Sequence, residues 1–316
     1  MPPFLKNKSC LVIGAAGSIG SNLSDRIARL KPKWLGILDQ DETGIFNLLE
    51  NLNEKYPKIQ IQPIIASIRD ELAIDVVFAE YRPQIVFHAA AYKHVYMMEL
   101  FPKEAEKTNV VGTRILIDKA QSWGTEKFIF ISSDKAVEPT SVMGRTKRIG
   151  EQLCLEANKH NKTRFIIVRF GNVLSSRGSV IPIFQEQIAR NQNLTVRGKQ
   201  MERYFMGIAE ANELIIKAAE MGRGGEIYVF DMGEPMKIDD LACLMIKLSG
   251  KDLGIDYVYP KKGEKITEKL ISRDECLIKT KYKKIYRVWF KRQIIGKIGR
   301  KMTRKMTGET TKHKTG

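Results

Sequence analysis

Cysteine is scarce and scattered. The four residues, Cys10, Cys154, Cys243 and Cys276, include no C-x-x-C pair. That excludes a disulfide framework and a thiolate zinc site, so no metal is expected, and it suits a reducing compartment. Long apolar runs are missing as well. None approaches the roughly 18–20 residues that a membrane-spanning helix needs. The opening "MPPFLKNKSCLVIG" lacks an apolar core of signal-peptide length, so a cytoplasmic protein is expected. No internal repeat or low-complexity linker precedes residue 281. Acidic residues nearly vanish after that point. Thirteen Lys/Arg face the single acid Glu309 between Lys281 and Gly316, so +12 of the formal +17 lies in that tail and about +5 in the rest. The body is therefore only mildly basic, as befits an enzyme of anionic substrates. No nucleic-acid recognition module accompanies the basic tail, and nucleic acid is not an expected partner.

Short β-branched runs punctuate the chain. "CLVIG" (10–14), "WLGILD" (34–39), "IQPIIA" (61–66), "QIVFHAA" (84–90), "KFIFIS" (127–132), "RFIIVRF" (164–170) and the later "EIYVFDMG" (226–233) read as buried strands. Between them, "SNLSDRIARL" and "PKEAEKTNVVGTRILIDKAQSWG" carry apolar residues at i, i+3, i+4 spacing and read as helices. This alternation predicts an α/β fold, a Rossmann-type doubly wound parallel sheet with a smaller C-terminal substrate lobe. Residues 1–170 would form the dinucleotide-binding domain, with the strand at 226–232 joining its sheet. Residues 171–288 would form an interleaved substrate lobe, and 289–316 a basic tail.

"VIGAAGSIGSNLSDRI" places Gly14, Gly17 and Gly20 between the first strand and a helix. Glycines let the backbone turn tightly and approach a pyrophosphate, to which the helix start offers free N–H groups. Asp39 closes the second strand, where a carboxylate can hold both hydroxyls of an adenosine ribose and would repel a 2′-phosphate. NAD is therefore expected rather than NADP. The expected cofactor-binding set is completed by Ser18 and Ile19 in the glycine turn, Ser67 and Ile68 after the third strand, and Ala89 and Ala90 after the fourth. A structural glycine turn with a solvated Asp39 is the alternative.

Several long motifs occur in order: "HAAAYKHVYMMEL", "KTNVVGT", "SSDKAVEPTSVMGRTK", "VRFGNVLSSRGSVIPIF", "RYFM" and "GGEIYVFDMGEP". From about residue 8 to 288 the chain resembles extended short-chain dehydrogenases of the UDP-N-acetylglucosamine 4,6-dehydratase type. The resemblance is to the polysaccharide-biosynthesis and flagellin-glycosylation branch in which Met replaces the usual Tyr; here Met143 stands four residues before Lys147. Larger relatives add an N-terminal membrane segment and a further domain, and the expectation is the short soluble form.

The resemblance implies C4 oxidation by NAD, elimination of water across C5 and C6, and hydride return to C6. It makes Asp134 the acid for the C6 oxygen and Lys135 the base at C5. The latter requires a pKa depressed through burial or cationic neighbours such as Lys147. Ser133 would hydrogen-bond the C4 oxygen, and Lys147 would hold the nicotinamide ribose. With Met143 inert, Ser133 must share removal of the C4 hydroxyl proton with Lys147 or Asp134. An isolated Ser-Asp-Lys would be an ordinary solvated loop.

The resemblance also assigns a UDP-sugar partner to Lys93, Asn172, Arg177, Arg203 and Glu264. Arg forks suit a diphosphate, Asn172 can donate to phosphate oxygens, and Glu264 can accept from ribose hydroxyls. Exposed loop charges are the plain alternative, and His94 reads better as a packed residue. Three positions depart from the family pattern: Ser67 stands where an Asp is usual, Lys261 where an Arg is usual, and Tyr96 where a Pro is usual. A homo-oligomer is expected.

"KIYRVWFKRQIIGKIGRKMTRKM" (284–306) spaces Ile285, Trp289, Ile295, Ile298 and Met302 at helical intervals among basic residues. Such a helix can lie on an anionic membrane surface, which would make the protein membrane-peripheral. A solvated tail, or a helix docked on a partner subunit, is the preferred reading. Two other functions compete with dehydration: a UDP-sugar 4-epimerase, which needs no acid–base pair for C5 and C6, and a non-catalytic nucleotide-binding scaffold.

Overall fold

The computed structural model describes residues 3–160, 163–174 and 176–291. Strand and helix alternate through β1 (Ser9–Ile13), α1 (Ser18–Arg29), β2 (Trp34–Asp39), α2 (Glu42–Lys55), β3 (Ile61–Ile65), α3 (Glu71–Tyr81) and β4 (Ile85–His88). There follow α4 (Val95–Leu100), α5 (Pro102–Glu106), α6 (Thr113–Ser122), β5 (Lys127–Ile131), α7 (Val142–Ala157) and β6 (Arg164–Arg169). Beyond β6 the elements are β7 (Asn172–Val173), α8 (Val180–Ala189), β8 (Leu194–Arg197), β9 (Glu202–Arg203), β10 (Phe205–Met206), α9 (Ile208–Met221) and β11 (Glu226–Phe230). The last are β12 (Met236–Lys237), α10 (Ile238–Ser249), β13 (Ile255–Val258), β14 (Glu275–Lys279) and β15 (Ile285–Phe290).

Seven strands form a parallel sheet in the order β3-β2-β1-β4-β5-β6-β11, and β15 then β14 extend it antiparallel. This is the Rossmann-type α/β fold expected from the strand–helix alternation. The central strands read as unbroken apolar runs because both their faces are covered. Val12, Ile37, Phe87 and Ile129 pack against α1, α2 and α9 on one face. Leu11, Val86, Phe128 and Phe130 pack against α3, α6 and α7 on the other. Pro63 is accommodated because β3 is an edge strand with one unpaired side. A separate apolar cluster of Phe184, Leu194, Val196, Ile238 and Leu241 forms the smaller lobe around α8, α10 and the β8–β13 pair.

Two local expectations change. The helix read over 102–124 is interrupted by a π-helical turn at Lys107–Gly112, which periodicity alone does not reveal. The buried Asn109 amide there holds the backbone of Tyr92 at both N and O and donates to Thr146 Oγ1. The proposed tail helix begins instead as a strand. Residues 285–290 pair with β11 on one side and β14 on the other, burying Ile285 and Val288. β-Branched and aromatic side chains favour that half-buried pleat over a helix. The remainder of the tail, residues 292–316, lies outside the described residues. Among the described residues no helix is long and apolar enough to cross a membrane.

One buried polar cluster fixes α7 on the sheet. Arg169, wholly buried at the end of β6, grips Glu151 of α7 through Nε (2.6 Å) and Nη2 (2.7 Å). Its Nη1 also donates to both oxygens of Glu275 at the start of β14, at 3.1 and 2.9 Å. Ser132 Oγ donates to Glu151 at 2.7 Å and Arg148 Nη1 at 3.2 Å. Desolvation pushes the Glu275 carboxyl up, but the hydrogen bonds and charge of Arg169, the Ser272 N–H and the Arg148 charge together hold it below the usual range. Removing the cation strands two buried carboxylates. Arg169→Met is therefore expected to cost about 3–5 kcal/mol in urea unfolding, and a loss under about 1 kcal/mol would show the cluster to be dispensable.

Candidate active site

The parallel strands all end on one rim, and the expected site residues follow their C-terminal ends. After β1, Gly14 has φ +83°, and a Cβ there would sit 2.5 Å from Ala90 N. A Cβ on Gly20 would sit 2.0 Å from Gly14 O, so the turn tolerates no side chain at either position. Gly17 caps α1 without a side-chain hydrogen bond, which leaves the helix N–H groups for an anion. Asp39 accepts from Ala16 N (3.0 Å) and Asp41 N (3.2 Å), locking its carboxylate at the end of β2.

Two adjoining cavities open on this rim. The smaller, about 150 Å³, is lined by Gly14, Asp39, Ser67, Ile68, Ala89 and Ala90 among others. The larger, about 550 Å³, shares Gly14, Gly17 and Ala89 with it and continues past Ser18, Ile19 and Gly20. Its walls include Ser133, Lys135, Met143 and Lys147, and also Lys93, Asn172, Arg177, Arg203 and Glu264. A narrow slot beside a carboxylate, a glycine turn at a helix start and a wide chamber beyond suit a dinucleotide with a second ligand alongside.

Asp134, expected as the acid for the C6 oxygen, is not among the residues that line the chamber. It opens a short turn after β5, its backbone N–H bonds Phe170 O at 3.1 Å, and its carboxylate points inward with no exposed surface. Oδ1 accepts from Ser133 Oγ at 2.8 Å and from Lys135 Nζ at 2.9 Å. Among the described residues Oδ2 is buried with no hydrogen-bond partner, and a Cβ on Gly171 would lie 3.2 Å from it. Ser133 and Lys135 line the chamber and Asp134 stands behind them. Where burial or cationic neighbours are expected around Lys135, its side chain is 17% exposed and its charged neighbours are carboxylates. Its ammonium donates to Asp134 and to Asn172 Oδ1 at 3.1 Å, and forms an ion pair with Glu268 Oε1 at 3.6 Å.

Met143 is buried in an apolar cluster with Met98 and Ala105, joined by Tyr92, Val95 and Val142. The thioether is therefore a packing wall of the chamber. Lys147, one helical turn on, is 7% exposed and lies 4.5 Å over the Phe130 ring. Desolvation pushes its ammonium from 10.5 down to about 8, with Glu151 pulling the other way.

The nucleotide-sugar set is only partly free for a ligand. Arg203 spends its guanidinium on the carbonyls of Glu202 (2.6 Å), Ile266 (3.0 Å) and Lys265 (2.9 Å), and so anchors the 264–268 segment. Arg177 is 72% exposed beside Asp41 at 3.7 Å, and its backbone N–H bonds Ser18 Oγ. It thus reaches toward the glycine turn. Glu264 accepts from Lys261 N at 2.8 Å. Lys93 donates to Ser176 Oγ at 3.3 Å, and burial holds its ammonium below the usual range. His94 also lines the chamber, against Gly178. Glu268, wholly missed in the sequence reading, has a side chain only 3% exposed and lines the same chamber.

The family described as "Polysaccharide biosynthesis protein" matches residues 10–289. The Staphylococcus aureus protein named "Capsular polysaccharide biosynthesis protein CapD" is 44% identical over 288 residues, covering 90% of this chain and 48% of that one. This chain thus spans about half the length of the first curated relatives it matches. A Campylobacter jejuni "UDP-N-acetylglucosamine 4,6-dehydratase (inverting)" is 32% identical across 90% of this chain and 84% of its own. A Rickettsia bellii "UDP-glucose 4-epimerase" is 33% identical across 85% and 79%. The solved structure titled "X-ray structure of Pen from Bacillus thuringiensis" superposes with a TM-score of 0.84 at 34% identity, covering 90% of this chain and 88% of that one.

Lys147 yields a pH test. Its depressed pKa means that the folded chain sheds this proton first. Between about pH 8 and 10.5 the unfolded chain binds more protons, and stability from this group rises with pH. Relative to Lys147→Met, the wild type is expected to gain roughly 2–3 kcal/mol in urea unfolding between about pH 7 and about pH 10. A difference that does not change with pH would contradict the buried placement.

Proposed function

Since the chain belongs to the polysaccharide biosynthesis protein family, we propose that it is a lyase. The reaction is dehydration of UDP-N-acetylglucosamine to a UDP-4-keto-6-deoxy sugar, in the service of surface polysaccharide or protein glycosylation. The observation that carries this reading is the contact among Ser133, Asp134 and Lys135 at the chamber wall. A 4-epimerase, the activity named for three of the relatives, needs no second acid–base pair for C5 and C6.

The residues present suit NAD: Asp39 in the slot would hold the adenosine ribose, the α1 N-terminus would take the pyrophosphate, and Lys147 in the larger chamber would hold the nicotinamide ribose. When bound it supplies the acceptor for the C4 hydride and returns that hydride to C6. Asp39 disfavours the 2′-phosphate of NADP. On the sugar-nucleotide side, Lys93, Arg177 and the Asn172 amide nitrogen are the donors for phosphate oxygens. Glu264 is the acceptor for ribose hydroxyls, and Arg203 holds the segment that carries it.

The chain's own groups then account for every proton. The proposed cycle calls for Asp134 to start as a carboxylate and Lys135 as a free amine, the ion pair between them having given one proton to solvent. Ser133 takes the C4 hydroxyl proton and passes its own to Asp134 across their 2.8 Å bond. Lys135 removes the C5 proton, made acidic by the new C4 ketone. Asp134 returns its proton through Ser133 to the C6 oxygen, which leaves as water. After hydride return, Lys135 gives its proton back to C5. Asp134 and Lys135 end as they began, and the sugar has lost one water. Met143 takes no part beyond shaping the wall.

Incubation with UDP-N-acetylglucosamine and NAD is expected to give a product lighter by one water in mass spectrometry. Asp134→Asn and Lys135→Ala are each expected to lower kcat by at least about 10²-fold while nicotinamide binding persists. A product of unchanged mass, or near-normal turnover in both variants, would overturn the reading.

A further inference from the structure

We infer that Glu268 is a positioning residue for Lys135, the third arm of a clamp whose other arms are Asp134 and Asn172; the inference rests on the dehydratase reading. Lys135 Nζ lies 2.9 Å from Asp134 Oδ1, 3.1 Å from Asn172 Oδ1 and 3.6 Å from Glu268 Oε1. The three oxygens come from different parts of the chain: the turn after β5, β7, and the segment between β13 and β14. A lysine on a flexible four-carbon stem acquires a defined direction only when several acceptors fix its head. Here they fix it on the wall of the 550 Å³ chamber.

Glu268 is built into this place. Its side chain is 3% exposed, and Lys265 Nζ lies 3.5 Å from Oε2. Lys265 is held in turn by a 2.8 Å bond to Val137 O, just past the Asp134 turn. Arg203 fastens the carbonyls of residues 265 and 266 from the other side. Among the described residues Glu268 Oε2 is buried yet has no hydrogen-bond partner, its contact with Lys265 being an ion pair alone. A carboxylate inserted this deeply and left half unsatisfied is costly for the fold alone. It becomes intelligible if Oε1 is required at Lys135. A plain packing role would be served better by an apolar side chain of similar volume.

The test compares Glu268→Ala, which removes the acceptor, with Glu268→Gln, which keeps an acceptor oxygen without the charge. Reductive methylation with formaldehyde, mapped to Lys135 by peptide mass spectrometry, reads the clamp directly and needs no turnover. Lys135 is expected to label several-fold faster in Glu268→Ala than in wild type, with Glu268→Gln close to wild type. Turnover of UDP-N-acetylglucosamine reads the consequence. A catalytic group displaced by about 1 Å can lose up to about 10²-fold. Glu268→Ala is therefore expected to lose about tenfold or more in kcat. KM should be little changed, reduced nicotinamide should accumulate because C4 oxidation outruns loss of the C5 proton, and Glu268→Gln should recover most of the rate. Unchanged Lys135 labelling in Glu268→Ala overturns the inference, as does wild-type kcat in that variant or a loss without accumulation of reduced nicotinamide. If the wild type labels as expected but makes no dehydrated sugar, the dehydratase reading fails and the clamp stands.

Discussion

A carboxylate with no exposed surface, served by one hydroxyl and one ammonium, is the constraint around which the site is arranged. Asp134 is fully buried, and its Oδ1 takes its hydrogen bonds from Ser133 and Lys135, both of which face the chamber. Burying such a group costs several kcal/mol unless its partners are held in register. The short turn after β5 is pinned to the end of β6 by the Asp134 N–H bond to Phe170 O, and Gly171 gives the carboxylate room. In the proposed reaction this arrangement gives the sugar a lysine that exchanges a proton with C5 and a hydroxyl that exchanges protons with a group shielded from solvent. In that reaction the site works with Met143 in the wall because proton traffic runs through Ser133, not through the helix that carries Lys147.

The fold supplies that register from distant parts of the chain. Arg169 joins the end of β6 to α7 and to β14, so the helix bearing Met143 and Lys147 is referenced to both the parallel core and the C-terminal hairpin. Arg203 and Lys265 reference the 264–268 segment to the chamber in the same way. Residues after 260 thus close the site from the smaller-lobe side, although the last two described strands belong to the large sheet.

Much of this was legible in the residues themselves. Continuous apolar strands, glycines with no room for a Cβ, and a carboxylate ending β2 are local signals, and they sit where the spacing places them. Motif order brought Ser133, Lys135, Met143, Lys147 and Asn172 to one wall. What was not legible depends on geometry across the chain. Asp134 turns inward because Gly171 leaves a space that no local pattern announces. Arg203 looks like a phosphate fork until the carbonyls of residues 265 and 266 occupy it. Glu268 lies 133 positions from Lys135 in an acid- and lysine-rich stretch with no periodicity, so nothing local marks it. Ile285 to Phe290 fits a helical spacing on paper, but two neighbouring strands offer it hydrogen bonds that a helix would forgo.

The claim on which everything else leans is that Lys135 exchanges a proton with a sugar carbon while a neighbouring hydroxyl is lost. The most direct measurement is an NMR spectrum of the product formed from UDP-N-acetylglucosamine in heavy water. The account predicts one deuterium at C5, a methyl group at C6 that carries the returned hydride, and a ketone at C4. A product that keeps its C5 proton and its C6 hydroxyl, with only the C4 configuration changed, would contradict it.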